Sequence, residues 1–160
     1  MRFQDRYRIP SNRLPGWDYA APGMYFVTVC TKDMKCYFGK VADGKMLLNG
    51  LGEIVKEEIL KTPRLRNNIE IDSWVIMPNH LHLIIINSED VETPRRGVST
   101  EPIKSWKPGC LGSIINHLKG SCTNRIRANY VPAFSWQARF YDHIIRSETN
   151  LNNLRLYIQL

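Results

Sequence analysis

Two histidines that could bind a metal ion follow a sharp turn in the middle of the chain. Pro78 and Asn79 mark the turn, and His80 and His82 come directly after it with Leu81 between them. Because strand side chains repeat with period two, His80 and His82 project from the same face, about 7 Å apart along the strand. Two imidazoles on one rigid face can hold a divalent metal. The same spacing also suits two ordinary polar residues on the solvent face of a strand.

A tyrosine on the last predicted helix could supply a nucleophile. On a helical wheel of 100° per residue, Leu151, Leu154 and Ile158 form a buried stripe. Tyr157 lies about 100° from Ile158, at the edge of that stripe. An edge position lets the ring pack while the hydroxyl reaches solvent. It is equally the position of a purely structural tyrosine.

The histidine pair and the tyrosine make chemical sense together. A phenol has a pKa of about 10 and is therefore a poor nucleophile at pH 7 without help. A divalent cation held by His80 and His82 would polarise a phosphodiester and stabilise negative charge on the phenolate. The combination predicts attack by the Tyr157 hydroxyl on a phosphate group of a nucleic acid.

The first half of the chain predicts the strands that position these histidines. Residues 24–30 are rich in β-branched and aromatic residues and predict a central strand, and residues 68–77 predict the first arm of the histidine hairpin. Between them, Asp43-Gly44 predicts another hairpin. A helix over residues 52–61 follows, which we expect to end at Pro63.

The second half predicts a long loop, two helices and a short strand. Residues 88–109 contain three prolines and little periodicity, and we expect a mobile loop. Residues 110–130 have helical spacing, a short strand is expected near residues 136–143, and the last helix begins at the capping residue Ser147. This order predicts an α+β fold, in which an antiparallel sheet with packed helices forms a ferredoxin-like sandwich.

Length and charge favour one globular domain with a polyanionic partner. The chain has 160 residues, of which 43% are hydrophobic and 23% charged. Lys and Arg outnumber Asp and Glu by 22 to 15, and the net charge of +7 favours nucleic acid as the partner. Many small basic proteins have no such partner, so charge alone does not decide the function.

Residues 1–21 are basic, aromatic and interrupted by prolines, and they predict an amino-terminal arm. The remaining residues, 22–160, would form the folded domain. Four arginines of the arm could contact phosphates or belong to a solvated tail: Arg2, Arg6, Arg8 and Arg13.

The sequence predicts a cytoplasmic protein. It contains no signal peptide, no long apolar run and no lipidation motif. Its four cysteines form no Cys-x-x-Cys pair, which argues against a structural zinc site and favours free thiols in a reducing compartment.

Several motifs of the chain resemble those of one enzyme family. Residues 13–19 and 22–31 look like the amino-terminal signature of the REP-associated tyrosine transposases, which belong to the single-tyrosine HUH (His-hydrophobic-His) transposases. Residues 77–82, with the sequence Met-Pro-Asn-His-Leu-His, match the metal motif of that family. The resemblance covers nearly the whole chain, and its motifs are specific in combination, whereas His-x-His alone is a weak signal. The carboxy-terminal signature is matched by residues 136–137, 140–146 and 157–158.

The resemblance implies a metal-dependent nuclease and strand transferase for single-stranded DNA. It implies that His80 and His82 bind magnesium or manganese and that Tyr157 is the nucleophile. Attack by the tyrosine would leave a 5′-phosphotyrosine and a free 3′-OH. Because the covalent link conserves the bond energy, a 3′-OH could later reverse the attack without ATP. The implied substrate is a single strand carrying an imperfect hairpin, read through splayed bases, stacking and phosphate contacts.

Three basic residues of the predicted second helix are candidates for those phosphate contacts: Lys119, Arg125 and Arg127. For each of them a solvated helix face is the alternative. The resemblance leaves a monomer and a homodimer both open.

The sequence departs from the family at the third metal ligand. The resemblance places this ligand, often Asn or Gln, four residues after the tyrosine, at position 161, and the sequence ends one residue before it. Gln159 lies about 160° around the helix from Tyr157 and is a poor substitute. We therefore expect a domain truncated at its carboxy-terminal end, or a ligand from elsewhere. Asp142 and His143 could assist the metal or the DNA, or have a structural role at the end of a strand.

Two other functions fit part of the sequence. A non-catalytic ferredoxin-like module could bind DNA or RNA, with Tyr25 and Phe26 as a stacking platform. The sequence has no RNA-recognition signature, and the two histidines and Tyr157 would then have no role. A HUH nickase that serves replication or plasmid transfer would share the chemistry and differ in its DNA substrate.

Overall fold

The computed structural model describes residues 14–88 and 110–160, together with the backbone of two short strands near the amino terminus. These two strands, β1 (Arg2–Phe3) and β2 (Tyr7–Arg8), pair in an antiparallel ribbon. The side chains of the four arginines predicted for the arm lie outside the described residues, and so does the predicted loop beyond residue 88.

A four-stranded antiparallel sheet forms the centre of the fold. Its strands are β3 (Gly23–Cys30), β6 (Ile69–Met77), β7 (His80–Asn87) and β8 (Tyr141–Ile145), in the spatial order β6–β7–β3–β8. The two central strands are β3 and β7. Both of their faces are covered, and they are therefore the most apolar strands of the sheet. This order, with helices packed on the sheet, is the α+β ferredoxin-like arrangement that the sequence predicted.

A separate hairpin precedes the first helix. It consists of β4 (Gly39–Ala42) and β5 (Lys45–Leu48), joined by Asp43 and Gly44 with φ angles of 51° and 71°. Two positive φ angles characterise the turn that Asp-Gly favours in a two-residue hairpin. The predicted hairpin at Asp43-Gly44 is thus confirmed.

Two helices cover one face of the sheet. Helix α1 (Gly50–Leu65) lies in the connection from β3 to β6, and α2 (Leu111–Asn129) lies in the connection from β7 to β8. Each connection joins parallel strands that have one strand between them, so right-handed crossovers bring both helices to the same face. Their apolar stripes and the inward side chains of β3 and β7 form the main core.

Helix α1 is longer than the sequence predicted at both ends. Asn49 caps its first turn, where the Asn49 side chain accepts a hydrogen bond from the Gly52 amide over 3.0 Å. At the other end, the predicted stop at Pro63 is wrong, because the helix continues to Leu65. The last turn closes through a hydrogen bond from the Arg66 amide to the Pro63 carbonyl, over 3.4 Å, so the missing amide of the proline does not end the helix.

Helix α3 (Glu148–Gln159) covers the opposite face of the sheet. Ser147 caps it by accepting a hydrogen bond from the Asn150 amide over 3.1 Å, as predicted. Its buried side chains, Leu151 and Ile158, pack in a second, smaller core against the sheet. None of the helices among the described residues has the length and apolar character that a bilayer crossing requires.

The last part of the predicted arm contacts the main core. Tyr19 is buried and its ring stacks on Tyr25, with 5.7 Å between the ring centroids. The Trp17 indole donates a hydrogen bond to the Tyr25 hydroxyl over 3.0 Å, and the Leu111 amide bonds to the Tyr19 carbonyl. Aromatic side chains therefore fix residues 14–21 to the domain, which the basic composition of this stretch did not indicate.

Candidate active site

The fold brings the two histidines and the tyrosine together. His80 and His82 occupy the start of β7, and they share the sheet face on which α3 packs. The ring centroids of His80 and His82 are 4.8 Å apart, and those of His82 and Tyr157 are 5.5 Å apart. Three residues from two distant parts of the sequence thus form one cluster.

The cluster lines an open cleft of about 600 Å³. The β4–β5 hairpin contributes Lys45 and Met46 to one side of the cleft, and the end of α3 contributes Tyr157 and Gln159 to another. A cleft of this size can accept a nucleotide-sized group. Gln159, which the helical wheel disfavoured as a ligand, lines the same cleft as the histidines because α3 ends there.

One hydrogen bond determines which nitrogen of His80 carries the proton. His80 Nδ1 lies 2.7 Å from Asn79 Oδ1, and the Asn79 amide nitrogen donates to the Met34 carbonyl over 3.2 Å. The second bond orients the amide, so its oxygen faces the imidazole and accepts the Nδ1 proton. In neutral His80 the lone pair that could bind a metal therefore belongs to Nε2.

His82 is held in a comparable way by the neighbouring strand. Its Nδ1 lies 2.9 Å from Thr28 Oγ1, and Thr28 is its direct cross-strand partner in the β3–β7 ladder. Phe26 stacks on the His82 ring with a centroid distance of 5.1 Å and an interplanar angle of 24°. When His82 Nδ1 donates to the Thr28 hydroxyl, the free lone pair of His82 is on Nε2, as in His80.

Burial keeps both imidazoles neutral. It lowers the pKa of His80, and burial together with the nearby His80 lowers the pKa of His82 to about 4. At pH 7 both rings are therefore in the neutral form that binds metal ions.

The donor set supplies part of a metal site. Two neutral imidazoles with fixed ring orientation suit two positions around a divalent ion. Within residues 14–88 and 110–160, no three His, Cys, Asp or Glu side chains group closely enough to hold an ion by themselves. Further ligands would come from amide oxygens, water or the phosphate of a substrate.

Tyr157 combines ring packing with solvent exposure, as its place at the edge of the helix stripe predicted. Its ring lies edge-on to Phe26, with centroids 6.1 Å apart, and 56% of the residue is exposed. The aromatic contacts orient the side chain, while more than half of the residue stays open to solvent.

The basic residues of α2 lie on the other face of the sheet, away from this cluster. Lys119 Nζ donates to the Gln137 carbonyl over 2.6 Å, and Arg127 Nε donates to the Phe134 carbonyl over 2.7 Å. Arg125 is paired with Glu57 and Glu58. All three side chains thus have partners within the protein, and their contact with phosphates stays a prediction.

Asp142 and His143 do not line the cleft that contains the histidine pair. They line a second cavity of about 660 Å³, between the amino-terminal segment and the start of α3. His143 Nε2 lies 3.1 Å from Asn150 Oδ1, so this histidine connects β8 to α3. Arg146, which lines the same cavity, stacks its guanidinium over the Trp17 ring at 5.7 Å.

Comparison with known proteins finds a relative by sequence and a similar solved structure. No protein-family model matches the chain. It is 36% identical to an uncharacterised protein of Haemophilus influenzae over 153 residues, which cover 93% of this chain and 85% of that protein. It is also similar to the solved structure of a REP-associated tyrosine transposase bound to a REP hairpin, with a TM-score of 0.55 and 23% identity over 85% of this chain.

The two findings differ in what they show. This chain spans 64% of the length of the solved transposase, and the likeness concerns the fold. The relative from Haemophilus influenzae matches over most of both sequences. The chain therefore belongs to the same family as that Haemophilus influenzae protein, and its fold is that of a REP-associated tyrosine transposase, as its sequence motifs predicted.

Proposed function

We propose that this protein is a metal-dependent endonuclease and strand transferase that acts on single-stranded hairpin DNA through a 5′-phosphotyrosine intermediate. The observation that carries the proposal is the convergence of His80, His82 and Tyr157 in one cleft. The shared fold supports it, because the similar transposase was solved with a REP hairpin bound.

Each residue of the cluster has a distinct role in the proposed reaction. His80 and His82 would hold magnesium or manganese through Nε2, with Asn79 and Thr28 fixing the two rings. When bound, the ion would polarise the scissile phosphate and stabilise the charge of the phenolate. Tyr157 forms a bond from its hydroxyl oxygen to phosphorus as the bond from phosphorus to the 3′ oxygen breaks. The phenol loses its proton, and the departing 3′ oxygen gains one.

A denaturing-gel assay with manganese tests this proposal. The substrates are single-stranded hairpins from repeats flanking the gene, incubated with the 160-residue chain and with a version extended past Leu160. We expect a covalent protein–DNA adduct that is lost in Tyr157→Phe, while hairpin binding remains. Tyr130→Phe is the matched control, because Tyr130 is 62% exposed and lies at the end of α2, on the other side of the sheet. Cleavage by Tyr157→Phe would disprove the assignment of the nucleophile.

The histidines are tested in the same assay. His80→Ala should abolish manganese-dependent cutting while hairpin binding remains, because one ligand is removed. His117→Ala is the control, since His117 is an exposed histidine of α2 on the other side of the sheet. An adduct formed only by the extended chain would indicate that a further ligand lies beyond residue 160.

A non-catalytic nucleic-acid-binding module is the second candidate, and the net charge of +7 favours it as much as the enzyme. Binding of several such hairpins without an adduct, by either form of the chain, would support this alternative. A replication or transfer nickase would form the same adduct but prefer other DNA substrates.

A further inference from the structure

Arg155 and Tyr157 lie on opposite sides of the stripe by which α3 contacts the sheet. The two residues are 200° apart on a helix of 100° per residue. Leu151 and Ile158 lie between them and are the buried residues of α3. Tyr157 packs towards the middle of the sheet, on Phe26 and His82. Arg155 reaches the other way, towards the edge strand β6.

Arg155 binds a carboxylate that a β-bulge presents. The pairing of β6 with β7 shifts between Ile71 and Ser73, which leaves Asp72 as an extra residue. Arg155 Nε donates to Asp72 Oδ2 over 2.8 Å, and Arg155 Nη2 donates to Asp72 Oδ1. The Ser73 hydroxyl also donates to Asp72 Oδ2, over 3.0 Å. The Asp72 side chain is only 11% exposed, whereas the Arg155 side chain is 37% exposed, so this two-pronged pair has one shielded partner and one that faces solvent.

The carboxylate is charged under ordinary conditions. Hydrogen bonding from Arg155 lowers the pKa of Asp72, against the opposing effect of its burial, and Ser73 lowers it further. Arg155 is itself oriented by a hydrogen bond from Nη1 to Asn152 Oδ1, one turn earlier, over 3.1 Å. The pair therefore joins a fixed point of α3 to a fixed point of β6.

We propose that the Arg155–Asp72 pair is a positioning clasp that sets the rotation of α3 about its own axis and so holds the Tyr157 hydroxyl at the histidines. This inference rests on the proposed role of Tyr157 as the nucleophile. Arg155 acts through the helix and touches no reacting atom.

The packing of α3 explains why such a clasp is needed. Apolar contacts are non-directional, and α3 packs on the sheet through buried Leu151 and Ile158 and partly buried Leu154. The contact between His143 and Asn150 holds the first turn of α3, far from Tyr157. A rotation of 20° moves the side chains of a helix, at a radius of about 5–6 Å, by about 2 Å. Misplacement by 1 Å can cost about 100-fold in rate. A two-pronged ion pair beside the apolar stripe restricts this rotation, because its geometry is directional.

Two variants and a control test the clasp. Asp72→Asn keeps the shape of the side chain and removes its charge. Arg155→Lys keeps a positive charge but removes the planar guanidinium that binds both oxygens of Asp72. It is the milder change and serves as the second variant should Asp72→Asn fold poorly. Glu70→Gln is the matched control, because it removes an exposed carboxylate from the same strand.

The first measurement compares the rate of adduct formation at saturating hairpin DNA with the affinity for the same hairpin. We expect Asp72→Asn to lower the rate at least about tenfold and Arg155→Lys to lower it less, with affinities within about twofold of the wild type. Glu70→Gln should change neither quantity. A rate in Asp72→Asn equal to that of the wild type would overturn the proposal. A loss of affinity in proportion to rate in both variants would also overturn it, since the pair would then support the fold as a whole and not the position of α3.

The second measurement needs no catalysis. Hydrogen–deuterium exchange should be at least about tenfold faster in α3 of Asp72→Asn than in the wild type, with no change in β7. Unchanged exchange in α3 overturns the clasp even if the wild-type protein forms no adduct with any hairpin. An absent wild-type adduct alone contradicts the proposed function, so the two failures are distinguishable.

Discussion

At the scale of single residues, the hydrogen bonds of His80 and His82 select the nitrogen that can bind a metal. Asn79 and Thr28 each contact Nδ1, and both rings present the Nε2 lone pair when Nδ1 is the donor in these hydrogen bonds. Such partners commonly contribute 10- to 100-fold to metal affinity, because they fix the orientation and tautomer of the ligand. Thr28 and Asn79 thus become part of the proposed site without touching the ion.

The Thr28 hydroxyl gives a prediction at this scale. Thr28→Val keeps the shape of the side chain and removes the partner of His82 Nδ1, so affinity for manganese should fall about tenfold or more. Titration with manganese, followed by electron paramagnetic resonance or calorimetry, measures this change. Thr28→Ser retains the hydroxyl and should bind manganese as the wild type does. Equal affinity in Thr28→Val would show that the hydroxyl does not support the ligand.

The sequence predicted part of this site for physical reasons. Period-two alternation placed His80 and His82 on one face, and the helical wheel placed Tyr157 at the edge of its stripe. Asn79 could have been found too, because it directly precedes His80. Thr28 could not, since it is 54 residues from His82 in sequence and they meet only through the pairing of β3 with β7.

At the scale of elements, two glycines of the helices have opposite surroundings. A Cβ at Gly120 of α2 would meet no atom within 4 Å. A Cβ at Gly52 of α1 would lie 2.3 Å from the Phe38 carbonyl oxygen. Gly120 therefore carries only the entropic cost of glycine in a helix, whereas Gly52 allows α1 to approach the segment before β4 closely.

Alanine substitutions at these two positions should change stability in opposite directions. Gly120→Ala should raise the free energy of unfolding by about 0.5–1 kcal/mol through helix propensity and reduced freedom of the unfolded chain. Gly52→Ala should lower it by about 1–3 kcal/mol, because the backbone must move away from the added carbon. Urea denaturation measures both values. A stabilised Gly52→Ala protein would contradict the close approach described for α1.

The contact between α1 and α2 includes a buried carboxylate. Burial alone would raise the pKa of Glu58, but hydrogen bonds from Arg125 and Lys61 outweigh it and hold the pKa below its ordinary value of 4.5. Arg125 Nη1 lies 2.7 Å and Lys61 Nζ 3.1 Å from Glu58 Oε1. Buried Cys122 of α2 is the other titratable group nearby, and burial, followed by the charge of Glu58, raises its pKa to about 12.

The lowered pKa of Glu58 predicts a pH-dependent contribution to stability. A carboxyl whose pKa is lower in the folded state stabilises the fold at neutral pH, and the stabilisation disappears as the pH falls through the lowered pKa. Glu58→Gln should therefore cost about 2 kcal/mol at pH 7 and less at pH 3, measured by urea denaturation. Glu57→Gln is the control with an expected cost below about 0.5 kcal/mol, because the Glu57 side chain is 55% exposed. Equal losses for Glu58→Gln at both pH values would contradict the prediction.

Elements were predictable where local chemistry determines them. Asp43-Gly44 adopts a turn that few other residue pairs favour, and Ser147 caps α3 with its own side chain. Pro63 misled the prediction because its effect on the helix depends on how the last turn closes. The bulge at Asp72 was not predictable, since it is defined by the register between β6 and β7.

At the scale of the whole molecule, net charge should govern the affinity for DNA. Positive charges that neutralise phosphates release counterions, so the logarithm of affinity falls with the logarithm of salt concentration by about 0.7 for each contact with a single strand. For three to five contacts we expect a slope of about −2 to −4 with a single-stranded hairpin. Tyr157→Phe should have the same slope, because it retains every charge. A slope near zero would exclude phosphate contacts as the basis of binding.

The arrangement of the whole molecule determines which face of the sheet α3 covers, and the sequence alone could not indicate this. The apolar stripe of α3 predicts a packed helix but does not say which face of the sheet it covers. The right-handed crossovers of α1 and α2 decide this, since both helices occupy one face and leave the other to α3. This second face carries His80 and His82, and α3 therefore brings Tyr157 to them.

Because α3 follows the sheet in the sequence, the ribosome makes the histidines and the tyrosine of the site in a fixed order. His80 and His82 leave the ribosome before Tyr157, which is about 75 residues later and takes roughly 4–15 s more to make at 5–20 residues per second. A nascent chain thus contains both histidines while Tyr157, the proposed nucleophile, is still absent. Ribosome-bound chains stalled before α3 should therefore never become linked to DNA, however long they are exposed to it.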